Sequence, residues 1–302
     1  QPVPRGLDED VSILQEPLQN IYLVASGVMD MFASVDAVDQ IRFSGQKQEN
    51  WYIQTAKDAM AAGDMIYAGK YSKPDYELLV SEGCDLAIEN RMITHSPEVV
   101  EMLQSFDIPV MIEYSSYEQH PLGKVEWVKF FGALTGKEAE AEEAFAEQTE
   151  ILEEVESGEK TGKTIAFFYV TSNGLIQVRQ STDYIPKLIE LAGGRYIFED
   201  LEDSGSGRST LNMQVEDFYA GAKDADILIY NSSIDGGVTT LDELIGKCNI
   251  LKDFKAVQEG QVYCTTNDMY QQSMAIGYLL QDMHTVLTDD DTAKLRYLFL
   301  LQ

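Results

Sequence analysis

The stretch SKPDYELLVSEGCDLAIEN, residues 72–90, joins a short helix to a buried apolar strand. Its first half has helical spacing with Glu77 in the opening turn, and DLAIEN at its end is typical of a strand covered on both faces. The same order returns in LNMQVEDFYAGAKDADILIYN, residues 211–231, with Glu216 in the equivalent place. A helix–strand unit present in both halves of a 302-residue chain predicts two domains of similar plan.

Strands and helices alternate throughout the first half. The predicted strands are IYLVAS at 21–26, DLAIEN at 85–90 and PVMIEY at 109–114. This alternation predicts a parallel sheet covered by helices on both faces, with its ligands beyond the carboxyl ends of the strands. After the first helix we expect a polar loop region, which includes Arg42, Phe43, Trp51 and Tyr52.

The second half repeats this pattern. Its predicted strands are TIAFFYV at 164–170, ADILIYN at 225–231 and GQVYCTT at 260–266, and its predicted helices are TDYIPKLIELAGG at 182–194 and QSMAIGYLLQDMHTVL at 272–287. Between the halves, KEAEAEEAFAEQTEILEEVESG at 137–158 consists of strong helix formers. The sequence therefore predicts an α/β fold with two Rossmann-like lobes and parallel sheets. The lobes, residues 20–136 and 159–302, are joined by this single long helix.

The charge of the chain limits its partners. Lys and Arg number 22 against 51 Asp and Glu, a formal net charge of −29, with no block of like charge. Such a surface repels phosphate backbones and anionic lipid, so we expect no nucleic-acid partner. No apolar run approaches the roughly 20 residues that span a bilayer. The first 20 residues lack a charged segment followed by an apolar one, so any signal peptide lies outside this sequence.

The three cysteines, Cys84, Cys248 and Cys264, are widely separated. They have neither the pairing of a disulfide framework nor the spacing of a metal site. Isolated thiols of this kind are typical of core packing, and their redox state is left open.

A set of motifs in a fixed order resembles one family. The set runs from AGKYSKPDYELLVSEGCDLAIE and SFDIPVMIEY through the Glu-rich helix to LIELAGG, MQVEDFYAGAKDADILIY and LKDFKAVQEGQVYCT. Over residues 20 to 290 it is similar to the substrate-binding proteins of ABC importers for iron complexes, haem and cobalamin, the class III periplasmic binding proteins. The resemblance implies a monomer without an intrinsic cofactor or catalytic site. It holds an iron complex (siderophore or haem) or cobalamin in the cleft between its lobes. It also implies a location outside the cytoplasm, either in the periplasm or on the cell surface as a membrane-anchored lipoprotein.

The resemblance also implies a partner for the two glutamates. In this family each lobe presents a carboxylate to basic residues of the membrane permease, and the matching positions are Glu77 and Glu216. A Glu in a first turn also interacts favourably with the helix dipole, by about 0.3 to 1 kcal/mol. For the first helix we expect Ser72 as the cap and Pro74 at an early position. The two roles are compatible.

Aromatic and cationic residues near the predicted strand ends are the candidates for ligand contact. Bulky, often anionic iron complexes and haem need aromatic surface for stacking and cations for neutralisation. The candidates are Trp51, Tyr71, Arg91, Tyr114, Tyr117, Tyr169, Arg179 and Tyr270. For each Tyr the alternative is packing, and for each Arg it is a structural ion pair.

Two alternative functions stay open. His95 and His120 follow predicted strands and with a carboxylate would form a Zn²⁺ or Mn²⁺ transport site, although no close ligand spacing supports one; His284 lies in the last predicted helix. An enzyme with a two-lobed α/β fold is less favoured. SGEKTGKT at 157–164 has Ser157 where a phosphate-binding loop needs Gly, and neither GxSxG nor HExxH occurs.

Overall fold

The computed structural model describes residues 6–7, 11–14, 18–202, 208–234 and 237–302. The chain divides into two compact units. Unit 1 comprises residues 1–114 and 126–145, and unit 2 comprises residues 115–125 and 146–302. The domain limits predicted from the sequence stay a prediction.

The elements of unit 1 are β1 (Ile21–Leu23), α1 (Val28–Ser34), β2 (Ile41–Ser44), α2 (Gln54–Ala62), β3 (Ile66–Tyr67), β4 (Gly69–Lys70), β5 (Lys73–Pro74), α3 (Tyr76–Ser81), β6 (Leu86–Glu89), α4 (Pro97–Ser105) and β7 (Val110–Ile112). They form a parallel five-stranded sheet with the order β3-β2-β1-β6-β7 and a separate two-stranded ribbon of β4 and β5. The strand order reverses between β1 and β6, and such a reversal is where open α/β sheets bind ligands.

Strand β2 corrects the expected polar loop. Ile41 and Phe43 are buried in the sheet, and Phe43 pairs with Tyr22 of β1. Arg42 between them donates hydrogen bonds to the carbonyl oxygens of Gly63 and Asp64, at 2.8 Å each. This strand could not be recognised from the sequence, because it is only four residues long and has a cation at its second position.

The N-terminus of α3 corrects the expected cap. The helix begins at Tyr76, and Asp75, not Ser72, accepts a hydrogen bond from the Leu78 backbone N–H at 3.1 Å. Pro74 lies in β5. Glu77 is nevertheless in the first turn of α3, as predicted, and its side chain is exposed.

Two helices follow β7 in the chain. They are α5 (Pro121–Thr135) and α6 (Glu138–Glu156), and α6 occupies most of the range predicted for the long helix. Gly136 separates them with a positive φ of 70°. At this turn a Cβ on Gly132 would come within 2.5 Å of the Ala141 methyl group, so a side chain at residue 132 would push the two helices apart.

The elements of unit 2 are β8 (Thr164–Val170), β9 (Ile176–Arg179), α7 (Tyr184–Leu191), β10 (Arg195–Tyr196), β11 (Thr210–Met213), α8 (Val215–Ala222), β12 (Ile227–Tyr230), α9 (Leu241–Lys247), α10 (Lys255–Gln258), β13 (Val262–Thr265), α11 (Ile276–Thr288) and β14 (Leu298–Leu300). They form a mixed sheet with the order β11-β9-β8-β12-β13-β14, and β10 pairs with the start of β8. β8, β12 and β13 form the predicted parallel centre, whereas β9, β11 and β14 run antiparallel to their neighbours.

Within unit 2, the carboxyl-terminal part of α6 is held to the start of α11 by one buried side chain. Gln148 is 3% exposed, and its Oε1 accepts a hydrogen bond from the Gly277 backbone N–H at 2.9 Å. Gly277 lies in the first turn of α11, where a backbone N–H has no partner inside its own helix. A Cβ at Gly277 would lie 2.9 Å from that oxygen, so the close approach also requires glycine.

We expect Gln148→Ala to lower the free energy of unfolding of unit 2 by about 1–3 kcal/mol, because it leaves a buried N–H without an acceptor. Amide hydrogen exchange at Gly277 should accelerate in the variant. Glu150→Ala, on an exposed position of the same helix, is the control and should stay within about 0.5 kcal/mol of the parent. Unchanged protection at Gly277 would contradict this role of Gln148.

Candidate functional site

The carboxyl ends of β8, β12 and β13 meet at one edge of the unit 2 sheet because the three strands are parallel. Asn231 follows β12, and its backbone N–H bonds to the Phe168 carbonyl of β8 at 2.8 Å. Thr265 ends β13, and its hydroxyl accepts a hydrogen bond from the Ser232 backbone N–H at 3.0 Å. These bonds join the residues after the strands into one surface, which we call the unit 2 strand-end surface.

Arg179 is a buried cation that is connected to this surface through Tyr270. It ends β9 and is 8% exposed. Its Nη1 lies 3.3 Å from Asp183 Oδ2, and its Nη2 donates to the Tyr270 hydroxyl. Its guanidinium carbon lies 5.8 Å from the centre of the Phe167 ring. The structure thus brings together two of the predicted residues, Arg179 and Tyr270, in one network.

Asp183 fixes this network to helix α7. Its Oδ1 accepts a hydrogen bond from the Ile185 backbone N–H at 3.0 Å and so caps the helix, while its Oδ2 faces Arg179. Both side chains of the ion pair are largely buried, with side-chain exposures of 10% for Arg179 and 2% for Asp183. A buried guanidinium without this carboxylate would be strongly destabilising.

Tyr270 connects the network to the strand-end surface. Its hydroxyl is 2.6 Å from Asn231 Nδ2, and Asn231 is 2% exposed. Burial raises the pKa of Tyr270 in spite of the nearby Arg179 charge, so the phenol stays neutral at physiological pH.

Three side-chain oxygens after β12 and β13 have no hydrogen-bond partner among the described residues. They are Asn231 Oδ1, Thr266 Oγ1 and Asp268 Oδ1. Buried polar atoms in folded proteins nearly always form hydrogen bonds to protein groups or to ordered water. Oxygens without such a bond are therefore candidates for hydrogen bonds to water or to a bound ligand. Their place at the end of parallel strands is where α/β sheets bind ligands.

Two cavities of unit 2 adjoin the Arg179–Asp183 pair. One of about 530 Å³ extends beside α7 and is lined by His120, Asp183, Lys187 and Arg195 among others. A smaller one of about 180 Å³ includes Tyr117, Glu118, Asp183 and Arg208 in its wall. Asp183 lines both cavities, and both are lined by residues of either sign of charge.

In unit 1 the residues after β6 and β7 form a second polar surface. Asn90 follows β6, and its Oδ1 accepts from the Met92 backbone N–H at 2.9 Å at the start of a short 3-10 helix, Arg91–His95. Arg91 is partly exposed, and Tyr114 after β7 is 43% exposed.

The predicted aromatic residues fall into two groups. Tyr114 and Tyr117 are 43% and 42% exposed and offer surface for stacking. Tyr71 and Tyr169 pack against the cores of unit 1 and unit 2. Trp51 is fully buried and donates its Nε1–H to Ser44 Oγ at 3.0 Å, so as placed its ring has no surface to offer a ligand. Ligand contact by the remaining candidates stays a prediction.

Glu216 corresponds to Glu77 in the second unit. It lies in the first turn of α8, beside Asp217, and is exposed. Both glutamates therefore begin a helix that precedes a strand of the sheet, as the repeated sequence predicted.

The histidines do not form a metal site with neighbouring ligands. His120 Nδ1 accepts a hydrogen bond from the Leu122 backbone N–H at 3.2 Å, and His284 Nδ1 lies 2.9 Å from the Ala192 carbonyl oxygen. His95 is exposed. In the part of the chain that the structure describes, no group of three or more His, Cys, Asp or Glu side chains is placed to hold a metal. Cys84, Cys248 and Cys264 form no disulfide.

Sequence reasoning missed the residues that hold the network together. Asp183 carried a local signal, an aspartate directly before a helical run, which is the usual N-cap pattern. Asn231 is an amide at the end of a buried strand. Neither signal indicates that Arg179, Asn231 and Tyr270 meet, because 91 residues separate Arg179 from Tyr270.

Glu89, at the carboxyl end of β6 in unit 1, is a buried carboxyl group without a hydrogen bond. It is 0% exposed, and neither oxygen has a partner among the described residues. Burial raises its pKa to about 8, so it is mostly protonated at neutral pH. Burial and then the Glu89 charge raise the pKa of Tyr22 of β1, and burial followed by the Glu98 and Glu89 charges raises the pKa of Tyr76 of α3.

This carboxyl should make unit 1 less stable as the pH rises. Its folded pKa of about 8 lies above the ordinary 4.5, so its contribution is complete below pH 4.5 and is lost as the pH approaches 8. We expect the stability of Glu89→Gln relative to the parent to increase by about 2–4 kcal/mol between pH 5 and pH 8.

Urea denaturation followed by tryptophan fluorescence measures this effect, because both tryptophans, Trp51 and Trp127, belong to unit 1. Glu98→Gln, at an exposed position in the first turn of α4, is the control and should show no such pH dependence. Parallel pH curves for the parent and Glu89→Gln would contradict a protonated Glu89.

None of the helices in the described ranges combines the length and the apolar character that crossing a membrane requires.

One family model, curated relatives and solved structures are similar to this chain. The family model described as periplasmic binding protein matches residues 24–269. The uncharacterized lipoprotein MJ0878 of Methanocaldococcus jannaschii is 25% identical over 304 residues, which cover 95% of this chain and 70% of that protein. Among solved structures, a possible iron-binding (periplasmic solute-binding) protein of Staphylococcus epidermidis has a TM-score of 0.68 at 17% identity, covering 89% of this chain and 98% of that one. The periplasmic haem-binding protein of Vibrio cholerae has a TM-score of 0.69 at 14% identity, covering 88% and 98%.

Proposed function

This chain belongs to the periplasmic binding protein family, and we propose that it captures an iron complex, haem or cobalamin outside the cytoplasm and delivers it to the permease of an ABC importer. The resemblance noted in the sequence is thereby confirmed at the level of the family, and the two-lobed α/β fold is that of binding proteins for such ligands. Members of this family bind and transport solutes, which agrees with the expectation of a non-enzyme.

The observation that carries the proposal is the unit 2 strand-end surface. Its neutral phenol, buried amide and unpaired oxygens follow the strands where an α/β sheet receives its ligand. The Arg179–Asp183 pair and Tyr270 fix these groups in place, and a fixed surface loses less entropy when it binds. Tyr117 provides exposed aromatic surface in the same unit.

Permease docking through Glu77 and Glu216 is the second part of the proposal. Both carboxylates are exposed in the first turn of a helix, one in each unit, and each has an acidic neighbour, Asp75 or Asp217. Two negative sites held on rigid helices suit basic partners on a membrane protein.

The proposed location is outside the cytoplasm, in a periplasm or attached to the membrane as a lipoprotein. The family description and the name of the Methanocaldococcus jannaschii relative support it. We propose that the protein acts as a monomer, since a single chain contains both units.

Ligand binding should raise the thermal stability of the protein. Melting in the presence of ferric hydroxamates, ferric catecholates, haem, cobalamin, Zn²⁺ and Mn²⁺ tests the class of ligand. A true ligand at 100 times its dissociation constant should add about 2.7 kcal/mol to the free energy of unfolding. Stabilisation by Zn²⁺ or Mn²⁺ alone would favour the metal-ion alternative, and the absence of any shift would contradict the proposal.

Charge reversal separates docking from ligand binding. We expect Glu77→Lys combined with Glu216→Lys to leave ligand affinity within about twofold and to reduce permease-dependent uptake at least tenfold, because basic docking residues would then meet like charge. Uptake into vesicles that contain the cognate permease measures the effect.

The matched control combines Glu98→Lys and Asp242→Lys. These residues are exposed in the first turns of α4 and α9, one in each unit, so the control changes the same charge at the same kind of position. Equal loss of uptake in both double variants would show a general effect of charge, and loss of ligand binding would place the glutamates in the ligand site.

A further inference from the structure

We infer that Tyr270 binds the ligand by donating its hydroxyl hydrogen to an oxygen acceptor of that ligand, and that Arg179 positions Tyr270 for this contact without touching the ligand itself. The inference rests on the proposed function and concerns the direction of one hydrogen bond at the unit 2 strand-end surface. The acceptor oxygen can belong to a carbonyl, hydroxamate, catecholate or carboxylate group.

The hydroxyl oxygen of Tyr270 already accepts two hydrogen bonds. One comes from Arg179 Nη2, and the other comes from Asn231 Nδ2 at 2.6 Å. A phenol oxygen has two lone pairs and one hydrogen, so these bonds occupy both lone pairs and leave only the O–H. A guanidinium and an amide nitrogen cannot accept this hydrogen. Its acceptor must therefore be a different group.

The residues that the structure describes provide no acceptor for the Tyr270 hydrogen. Two oxygens of the same surface, Asn231 Oδ1 and Asp268 Oδ1, are themselves without a hydrogen-bond partner within these ranges. Tyr270 is partly exposed, whereas Asn231 is 2% exposed, so the phenol is the member of this pair that a ligand reaches. An oxygen of the ligand would supply the missing acceptor.

The ring of Tyr270 is held in place for this contact. The guanidinium carbon of Arg179 lies 5.5 Å from the ring centre. The backbone N–H groups of Gln271 and Gln272 both donate to the Asp268 carbonyl oxygen, at 2.8 Å and 3.2 Å. These bonds close the turn that contains Tyr270. A donor that is fixed before binding loses less conformational entropy when the ligand arrives.

Arg179 also strengthens the donation by Tyr270. A hydrogen bond from a cation polarises the phenol, and hydrogen bonds in a chain reinforce one another. Because burial raises the pKa of Tyr270, the hydrogen stays on the oxygen at neutral pH. Arg179 itself is 8% exposed and its Nη1 faces Asp183, so its charge acts on the ligand through Tyr270. Arg179 is therefore a positioning residue, and Tyr270 is the contact residue.

Calorimetric titration of the full chain tests the contact with four probes, which are a ferric trihydroxamate, a ferric tris-catecholate, ferric haem and cyanocobalamin. For the probe that binds most tightly, we expect Tyr270→Phe to lower the affinity about fivefold to fiftyfold, because it removes one donor to a polar or charged acceptor. The control is Tyr219→Phe in α8, whose ring packs against Phe254, and it should change the affinity less than twofold. Unchanged affinity in Tyr270→Phe would overturn the inference and leave the transport function intact. Binding of no probe would overturn both.

Asn231→Asp tests the direction of the hydrogen bond. A carboxylate has no hydrogen to donate, so Tyr270 would donate to it and would no longer donate to the ligand. The affinity should then fall about as far as in Tyr270→Phe. Asn267→Asp adds the same charge at an exposed neighbouring position, keeps an acceptor for Ser232 Oγ and should lower the affinity less. If the two variants bind equally well, Tyr270 already donates to Asn231 in the parent, and the inference is wrong.

A double-mutant cycle tests the positioning role of Arg179. Arg179→Lys keeps a cation for Asp183 but lacks the planar fork that reaches both Asp183 and Tyr270. It should lower the affinity at least threefold in the parent and less than twofold in the Tyr270→Phe background, because its effect passes through the phenol. Equal losses in both backgrounds would show that Arg179 acts independently of Tyr270.

Nuclear magnetic resonance of protein labelled at the tyrosine Cζ atoms tests the contact without changing the protein. Tyr270→Phe assigns the signal, and the probe is cyanocobalamin or the gallium(III) form of the iron complex, which avoids paramagnetic broadening. The Tyr270 signal should shift on binding, because the hydroxyl then gains an acceptor. A signal that stays in place would indicate a purely structural tyrosine and would contradict the inference. So would an iron–phenolate absorption band of the haem complex that Tyr270→Phe abolishes, since the oxygen would then bind iron.

Discussion

The ion pair between Arg179 and Asp183 is the interaction on which the unit 2 site depends. A guanidinium at 8% exposure is tolerated only with a carboxylate and further acceptors around it. Asp183 provides the carboxylate at 3.3 Å and at the same time caps α7, so the charge that satisfies Arg179 also fixes where the helix begins. Tyr270 extends the constraint to Asn231 at the end of β12. One buried cation therefore sets the positions of a strand end, a helix start and a loop.

In unit 1 the buried ionisable group at a strand end, Glu89, is stabilised differently from Arg179 in unit 2. Glu89 has no cation and no hydrogen bond in the described chain, and it keeps its proton instead. In unit 2 the buried charge of Arg179 is neutralised by its ion pair with Asp183. In unit 1 the buried Glu89 carries no charge because it stays protonated.

The sequence predicted what is local and missed what is assembled from distant segments. β8, β12 and β13 are continuous apolar runs because they are buried on both faces, and Glu77 and Glu216 lie in helix first turns whose signal is contained within a few residues. β2 was missed because a strand of four residues is too short to show a clear alternation of apolar and polar residues. Asp75 was missed as the N-cap of α3 because Ser72, three residues earlier, is also a residue type that caps helices. The aromatic candidates could not be separated, since composition does not distinguish the buried ring of Trp51 from the exposed rings of Tyr114 and Tyr117.

The proposed docking through two glutamates raises a question of specificity, since the chain has 51 acidic residues. Charge alone cannot select two of them, and the distinguishing property is position. Each lies in the first turn of a helix, and the chain after that helix leads into β6 or β12, an interior strand of its sheet. A carboxylate on such a helix keeps its place relative to the sheet, whereas a carboxylate on a loop does not. Basic residues of a partner would therefore recognise the fixed arrangement of these charges, and the remaining acidic surface would contribute to the rate of encounter more than to the choice of site.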